Sequence, residues 1–147
     1  MSSPAVTAAS RSSAPAALVY AALLNAESWP SWTSYYEVEW ELPSGVERPA
    51  RVGDSRTIRS HAGRVCCRER IVEMVPAQRF SYEQTAGFFA CHRGSVELTR
   101  APHGTDITWT ATYRHTLSFL DTFRRRRLQV LVHDLSSYAN SIVSRHS

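Results

Sequence analysis

The sequence predicts an α+β fold in which one curved antiparallel sheet of about seven strands packs against a long C-terminal helix. Three observations predict it. Short segments of alternating polar and apolar residues are separated by turn signals, two short helical segments follow the first strand, and an apolar stripe of helical period runs through residues 118–145. With 147 residues, 43% of them hydrophobic, the chain can bury one sizeable core, so we expect a single domain over residues 1–147.

The N-terminal part is predicted to contain one strand and two short helices. Residues 4–10 are small and compatible with an edge strand. A helix is expected over 15–24, because two serines that suit an N-cap precede it and Pro15 suits its first turn. Residues 25–34 contain two tryptophans and predict a second short helix, which Pro30 keeps from being longer.

Six further strands are predicted between residues 36 and 114. In 36–42, tyrosine, valine, tryptophan and leucine alternate with glutamates, which is the pattern of a half-buried strand. Glycine or proline turn signals separate the remaining segments. Strands at this regular spacing favour an antiparallel meander over parallel βαβ units. The remaining predicted strands are 56–61, 64–75, 79–85, 90–100 and 106–114.

The C-terminal segment predicts one amphipathic helix over residues 118–145. Its apolar side chains fall within about 60° of Leu131 when each residue advances by 100°. A small curved sheet cannot bury its apolar face alone, so we expect this helix to lie across it. Where the sheet and the helix diverge at one end, we expect a cavity.

The composition excludes several classes of chemistry. All seventeen basic residues are arginine, so no lysine Schiff base can form and no P-loop lysine is present. Cys66, Cys67 and Cys91 lack the paired spacing of a zinc site or a disulfide framework, and the histidines are scattered. We therefore expect reduced thiols, no metal site and no cofactor.

A cytoplasmic location is expected. The apolar stretch 14–24 follows Arg11 and is similar in composition to a signal peptide, but Pro15 and the serines before it favour a domain helix. No apolar run reaches the ~20 residues that a bilayer span needs. We expect a monomer or a homodimer without a membrane span.

The alternation also predicts which polar side chains face the interior. If the apolar positions mark the inner face of each strand, the polar residues in phase with them lie on the same face, unless a β-bulge intervenes. On the helix, Arg124 lies about 20° from the centre of the apolar stripe and Arg127 about 40° on its other side. The polar residues assigned to the inner face of the sheet are Tyr36, Arg56, Glu69, Tyr82 and His92.

Two interpretations of this inward set stay open. In the functional one, Arg56 pairs with Glu69 and orients substrate carbonyls, His92 is a general base or acid, and Tyr36 donates to an enolate. Arg124 would then bind a carboxylate or a phosphate at the mouth of the cavity. In the structural one, the ion pair only joins two strands, the histidine is solvated and the tyrosines belong to the core.

Three segments resemble, in order, the helix-grip fold of the START-like (SRPBCC) superfamily. SSAPAALVYAALLNAESWPSW is similar to its opening, GRVCCRERIVEMVPAQRFSYE to its central hairpin and GTDITWTATYR to its last strand. Within the superfamily, WPSWTSYYEVE is similar to the polyketide cyclase/dehydrase branch, with Tyr36 at the position of a pocket tyrosine.

The resemblance implies a protein that folds a reactive poly-ketone chain in its cavity and promotes ring closure and loss of water without a cofactor. The residues expected to act in catalysis are Arg56, Glu69, His92 and Tyr36. Those expected to contact the substrate are Trp40, Ile58, Cys67, Tyr82, Trp109, Tyr113, Arg124 and Leu131. Acyl carrier protein is a further partner that the resemblance suggests, at residues 124–127.

Two other functions remain open. The same fold also serves as a non-catalytic carrier of lipids or other hydrophobic small molecules. A nucleic-acid-binding module that uses the four consecutive arginines is disfavoured, because aromatic residues are not interleaved with them.

Overall fold

The computed structural model describes residues 5–43, 45–86, 92–113 and 118–145. Strand β1 (Ala5–Ser12) leads into helix α1 (Ala16–Leu24), a 3₁₀ turn (Ala26–Ser28) and the single-turn helix α2 (Trp29–Trp32). After the strands comes the long helix α3 (Ser118–Arg145). The other strands are β2 (Glu37–Glu41), β3 (Ser55–Arg59), β4 (Val65–Val75), β5 (Arg79–Ala86), β6 (Arg93–Ala101) and β7 (Gly104–Thr112).

The strands form one curved antiparallel sheet in the order β1-β7-β6-β5-β4-β3-β2. Strands β2 to β7 each pair with the next strand in the sequence, and β1 pairs with β7 to form the other edge of the sheet. The predicted α+β helix-grip fold and its antiparallel meander are confirmed. The strand bounds differ from the predicted ones by a few residues, and the predicted strand residues 4, 90, 91 and 114 lie outside the described ranges.

Alternation predicted the inner face correctly along the middle of most strands. In β7 the buried residues are Thr105, Ile107, Trp109 and Ala111, each separated by a half-buried residue. In β4 the pairing shifts on both sides of residues 69–71, as β-bulges do where a sheet bends. Glu69 and Ile71 nevertheless keep the inward orientation that the pattern assigned.

Helix α3 is fixed to the first strand through small and polar side chains of its C-terminal half. Ser136 hydrogen-bonds to Ser10 at 2.8 Å. The Asn140 Oδ1 atom accepts hydrogen bonds from the Ser12 hydroxyl and from the Ser13 backbone N–H, both at 2.8 Å. Between these contacts Ala139 is fully buried. Short side chains let this half of the helix approach the sheet closely, and their polar groups are satisfied there.

The long connection between β2 and β3 is closed by an ion pair. Arg48 donates two hydrogen bonds to the Asp54 carboxylate, at 2.7 and 2.9 Å, and the Arg51 backbone N–H donates a third. The Arg48 guanidinium beside it is the main reason that the pKa of Asp54 falls from 3.8 to about 2. Because the pKa is lowered in the folded state, this carboxylate stabilises the fold above its unfolded pKa.

We therefore expect the effect of Asp54→Asn to depend on pH. At pH 7 the substitution should lower the free energy of unfolding by about 1 kcal/mol, the size of a partly exposed pair. Most of that difference should vanish as the pH falls from 4 to 2, when the native carboxylate is protonated. Urea unfolding of wild-type protein and variant at several pH values measures this difference in stability. Asp106→Asn is the control, because its pair with Arg11 is more exposed and should give a smaller difference at pH 7. A difference that is equal at pH 2 and pH 7 would contradict the assignment.

Candidate functional site

A cavity of about 330 Å³, partly open to solvent, lies between the sheet and the N-terminal half of α3. Its walls come from the connection after α2, the start of β4, the ends of β5 and β7, and one face of the helix. The described lining residues are Tyr35, Ser60, Arg64, Val65, Cys66, Cys67, Tyr82, Gln84, Ala111, Tyr113, Phe123, Arg124, Arg127, Leu128 and Leu131.

The position of the cavity follows from the side chains of α3. Its C-terminal half is hydrogen-bonded to β1 through Ser136 and Asn140, whereas its N-terminal half presents Arg124, Leu128 and Leu131 to the cavity. The space between this half of the helix and the strands is incompletely filled. The predicted cavity at one end of the helix–sheet interface is thus present.

Tyr82 forms part of the floor of the cavity and is held in one orientation. Its hydroxyl accepts a hydrogen bond of 2.9 Å from the indole N–H of Trp109, which lies behind it. Its ring lies directly over Gly94 on the neighbouring strand, where any Cβ atom would overlap the phenol. Glycine at this position in β6 therefore makes the space that the tyrosine occupies.

A chain of hydrogen bonds joins the cavity wall to the core. The Gln84 amide nitrogen donates to Glu69 Oε2 at 3.1 Å and to the Cys67 sulfur at 3.4 Å. Glu69 Oε1 in turn accepts from Arg56 Nε at 2.9 Å. Since the carboxylate needs a donor, the amide nitrogen of Gln84 is directed towards Glu69. The ion pair therefore orients a side chain of the cavity without lining the cavity itself.

Arg56 is fully buried in a cage of aromatic rings. Its guanidinium carbon lies 4.4 Å from the ring centre of Trp29, 5.2 Å from that of Trp40 and 5.3 Å from that of Phe80. Besides the bond to Glu69, Nη1 donates to the Leu23 carbonyl at 2.8 Å. The Nη2 atom has no hydrogen-bond partner among the residues that the structure describes. Cation–π contacts on three sides offset part of the cost of burying this charge.

Two arginines of α3 contact the cavity by different means. The guanidinium of Arg124 is buried and lies 3.9 Å from the ring centre of Tyr113. Arg127 is exposed and donates to the Tyr35 hydroxyl at 3.1 Å. Burial, mainly, raises the pKa of Tyr35 to about 12, although Arg127 acts against it. Tyr35 therefore remains a neutral phenol, and a potential donor, at any physiological pH.

A second cavity of about 280 Å³ adjoins the first along the same helix. Both are lined by Tyr35, Phe123, Arg127 and Leu131. These four side chains therefore form the partition between the two spaces.

Five of the predicted site residues line the cavity and five lie behind it. Arg56, Glu69, Ile58 and Trp109 are buried in the core, and Trp40 donates its indole N–H to the Leu24 carbonyl beside Arg56. The expected ion pair between Arg56 and Glu69 is formed, but neither residue lines the cavity, so the pair lies behind the cavity wall. The five lining residues are Cys67, Tyr82, Tyr113, Arg124 and Leu131.

The inward orientation predicted for Tyr36 and His92 is wrong. Tyr36 is 56% exposed and lies against the His61 ring, at 5.5 Å between centres. It precedes the first residue of β2, so the strand alternation does not extend to it, and Tyr35 turns inward in its place. His92 is exposed one residue before β6, where its backbone N–H donates to the Thr112 carbonyl. Both errors come from extending a period of two beyond the end of a strand.

Several lining residues were missed as site residues. Gln84, Ser60 and Ala111 are in phase with the inward apolar residues Phe80, Ile58 and Trp109, so alternation gives their orientation but not their use. Nothing in the sequence pattern distinguished Tyr35 or Phe123. Cys91 lies outside the described residues.

Over the described ranges, no three His, Cys, Asp or Glu side chains lie together as a set of metal ligands. In the same part of the chain, no helix combines the length and the apolar character that spanning a bilayer requires.

The antiparallel sheet, the long C-terminal helix across it and the partly apolar cavity between them define a protein of the helix-grip class. The chain matches the model of the polyketide cyclase/dehydrase and lipid transport family over residues 3–136, and it belongs to that family. No curated protein sequence matches it significantly.

Solved structures share the fold at low sequence identity. A protein from Nitrosospira multiformis superposes with a TM-score of 0.73 at 15% identity, covering 96% of this chain and 99% of its own. One from Mesorhizobium loti gives 0.72 at 15% identity, covering 98% and 99%. The Aha1 dimer from Colwellia psychrerythraea gives 0.71 at 12%, covering 93% and 96%. At these identities the likeness establishes the fold alone.

Removing one partner of the buried ion pair should destabilise the protein strongly. We expect Arg56→Met or Glu69→Leu to lower the free energy of unfolding by about 3–5 kcal/mol, because each leaves an uncompensated charge in the core. The double variant should be clearly more stable than either single variant. Urea denaturation of all four proteins measures this coupling. Additive losses would show that the two side chains do not depend on each other.

Gly94→Ala should destabilise the fold by about 1–3 kcal/mol, because the new methyl group displaces the Tyr82 ring and breaks its bond with Trp109. In a Tyr82→Ala background the same change should have little effect, since the overlapping ring is gone. A thermal-unfolding cycle of the four proteins tests this. An equal loss in both backgrounds would mean that the glycine is needed for another reason.

Proposed function

We propose that this protein binds a poly-ketone or aromatic intermediate in the cavity beneath α3 and promotes its cofactor-free cyclisation and dehydration. The observation that carries the proposal is a cavity of about 330 Å³ at this place in a chain of the polyketide cyclase/dehydrase family. Its mixture of flat apolar walls and fixed hydrogen-bonding groups suits such a ligand.

The size of the cavity supports a compact ligand. A volume of about 330 Å³ is near the lower end of the range for small-molecule sites, which favours one or two rings over an extended lipid chain. The aromatic and leucine side chains of its wall would press a flexible chain into a folded conformation. Positioning of this kind is the main way in which a protein without a cofactor accelerates ring closure.

The polar groups suit the charge that develops during such a reaction. When a methylene group between two carbonyls loses a proton to a water molecule in the partly open cavity, negative charge moves onto an oxygen atom of the resulting enolate. The enolate carbon then attacks another carbonyl of the same chain, and the alkoxide that forms takes up a proton from water to become an alcohol. Tyr35 and Tyr82 are phenols that can donate to that oxygen, and Arg124 supplies positive charge beside it. Loss of water from the new alcohol then gives the conjugated ring.

Arg56 and Glu69 act here as positioning residues. Through the bond between Glu69 and Gln84 they fix the amide at the cavity wall, 3.1 Å from the carboxylate. Tyr36 and His92 have no part in this proposal because both are exposed outside the cavity. The exposed side chains of Arg125 and Arg126 would provide the positive surface for an acidic acyl carrier protein.

A poly-β-ketone thioester of about four ketide units tests the proposal. Wild-type protein should form the cyclised aromatic product faster than buffer does, measured by chromatography and absorbance. Ala111→Leu, which fills the cavity, should lower that rate roughly tenfold or more, because the chain can no longer be positioned. Arg100→Gln, at an exposed position of β6 that does not line the cavity, should leave it unchanged. Circular dichroism confirms that the variants are folded.

A wild-type rate equal to that in buffer would overturn the catalytic proposal. If the same ketide nevertheless bound in the cavity, the protein would be a carrier, in keeping with the lipid transport part of the family description.

A further inference from the structure

We propose that the second cavity, of about 280 Å³, binds the flexible, amide-bearing arm of a thioester ligand whose acyl group lies in the first cavity. The inference deepens the proposed function and rests on it, because it assigns a place to the part of the substrate beyond the thioester sulfur. It is carried by the arrangement of side chains along α3 and by the chemistry of the second cavity's wall.

Three parallel rows of side chains on α3 relate the two cavities. Within each row the residues are four positions apart, so they are neighbours along the helix surface. The first row, Arg124 and Leu128, lines the first cavity and not the second. The middle row lines both cavities, and the third row lines the second cavity and not the first. The middle row is Phe123, Arg127 and Leu131, and the third row is Arg126, Val130 and Asp134. The two spaces therefore lie on either side of one ridge of the same helix.

Tyr35 faces this ridge from the connection after α2. Its hydroxyl accepts the 3.1 Å hydrogen bond from Arg127, and its ring is stacked on that of Trp29, with 6.4 Å between the ring centres. Arg127 is exposed, so its hydrogen bond to the phenol can be exchanged for one to water at little cost. A ligand that occupies both cavities crosses the ridge here, between the Arg127 side chain and the Tyr35 ring.

The wall of the second cavity suits a chain of methylene and amide groups. Val130 and Leu131 provide apolar surface, the Asp134 carboxylate can accept a hydrogen bond, and the Arg126 guanidinium can donate one. An amide needs an acceptor for its N–H and a donor for its carbonyl oxygen, and this wall contains both. Because Ser34, Arg126 and Val130 are exposed, the cavity also opens at the protein surface. It therefore offers the arm a route from the first cavity to solvent.

Three thioesters of 2-naphthoic acid that differ only beyond the sulfur test the proposal by titration calorimetry. They carry an S-methyl group, an S-pentyl chain, or an S-(2-acetamidoethyl) arm of the same length as the pentyl chain. Wild-type protein should bind the acetamidoethyl thioester about tenfold more tightly than the S-methyl thioester, a typical gain for about five further ligand atoms in contact with protein.

A variant that fills the second cavity should remove this gain. Val130→Trp places a large ring in that cavity, so the two affinities should become equal while that of the S-methyl thioester is unchanged. Thr122→Trp, at an exposed position of α3 outside the described lining of both cavities, is the matched control and should keep the wild-type ratio.

A second variant tests whether the subsite recognises the amide. Asp134→Leu should weaken the acetamidoethyl thioester about three- to tenfold, because the amide N–H loses its acceptor. The S-pentyl thioester, which has no amide, should bind Asp134→Leu as it binds wild-type protein. Equal losses of both ligands would overturn the assignment of an amide-bearing arm.

The remaining outcomes separate this inference from the proposed function. Equal wild-type affinities for the acetamidoethyl and S-methyl thioesters, or an equal loss of both in Val130→Trp, would overturn the subsite. The arm would then leave through the opening of the first cavity, and the proposed function would stand. Failure of wild-type protein to bind any of the three thioesters would overturn the proposed function as well.

Discussion

The packing of helix α3 along the sheet differs between its two halves, and the site depends on that difference. In the C-terminal half, Ser136 and Asn140 hydrogen-bond to Ser10 and Ser12 of β1, and Ala139 is fully buried beside them. Beneath the N-terminal half, Arg124 and Leu128 line a space of about 330 Å³ that the protein leaves unfilled. The cavity thus lies under one half of the same helix whose other half is fixed to the first strand.

Stability and the geometry of the site are connected through the buried pair of Arg56 and Glu69. Burying two charges is costly, and this pair is compensated by aromatic rings, the Leu23 carbonyl and the Gln84 amide. The last of these partners is part of the cavity wall. A substitution in the core can therefore alter the cavity without touching a ligand, which makes these residues supports of the site.

Much of the fold was accessible from the sequence because it depends on periodic patterns. Alternation identified the strands, and helical periodicity gave the bounds of α3 as the structure has them. The same patterns put Cys67, Tyr82 and Arg124 at the cavity. The alternation pattern gave the wrong orientation for Tyr36 and His92. Both residues lie just outside a strand, where the backbone no longer has a period of two.

The sequence pattern could not predict whether an inward-facing residue is enclosed in the core or lines the cavity. Alternation places Arg56 and Gln84 on the same face of the sheet, yet one is enclosed by tryptophan rings and the other lines the cavity. That distinction depends on which side chains of other elements cover each position. It is set by tertiary packing, above all by the short helices that bring Trp29 over Arg56, and single-strand patterns carry no information about it.

The most direct test of the central claim is a crystal structure of the protein grown with 2-naphthol, an aromatic ligand of two rings. The naphthalene rings are expected in the cavity between Leu128 and the sheet. 2-Naphthol found only on the outer surface of α3, with the space between helix and sheet filled by protein side chains, would contradict the claim.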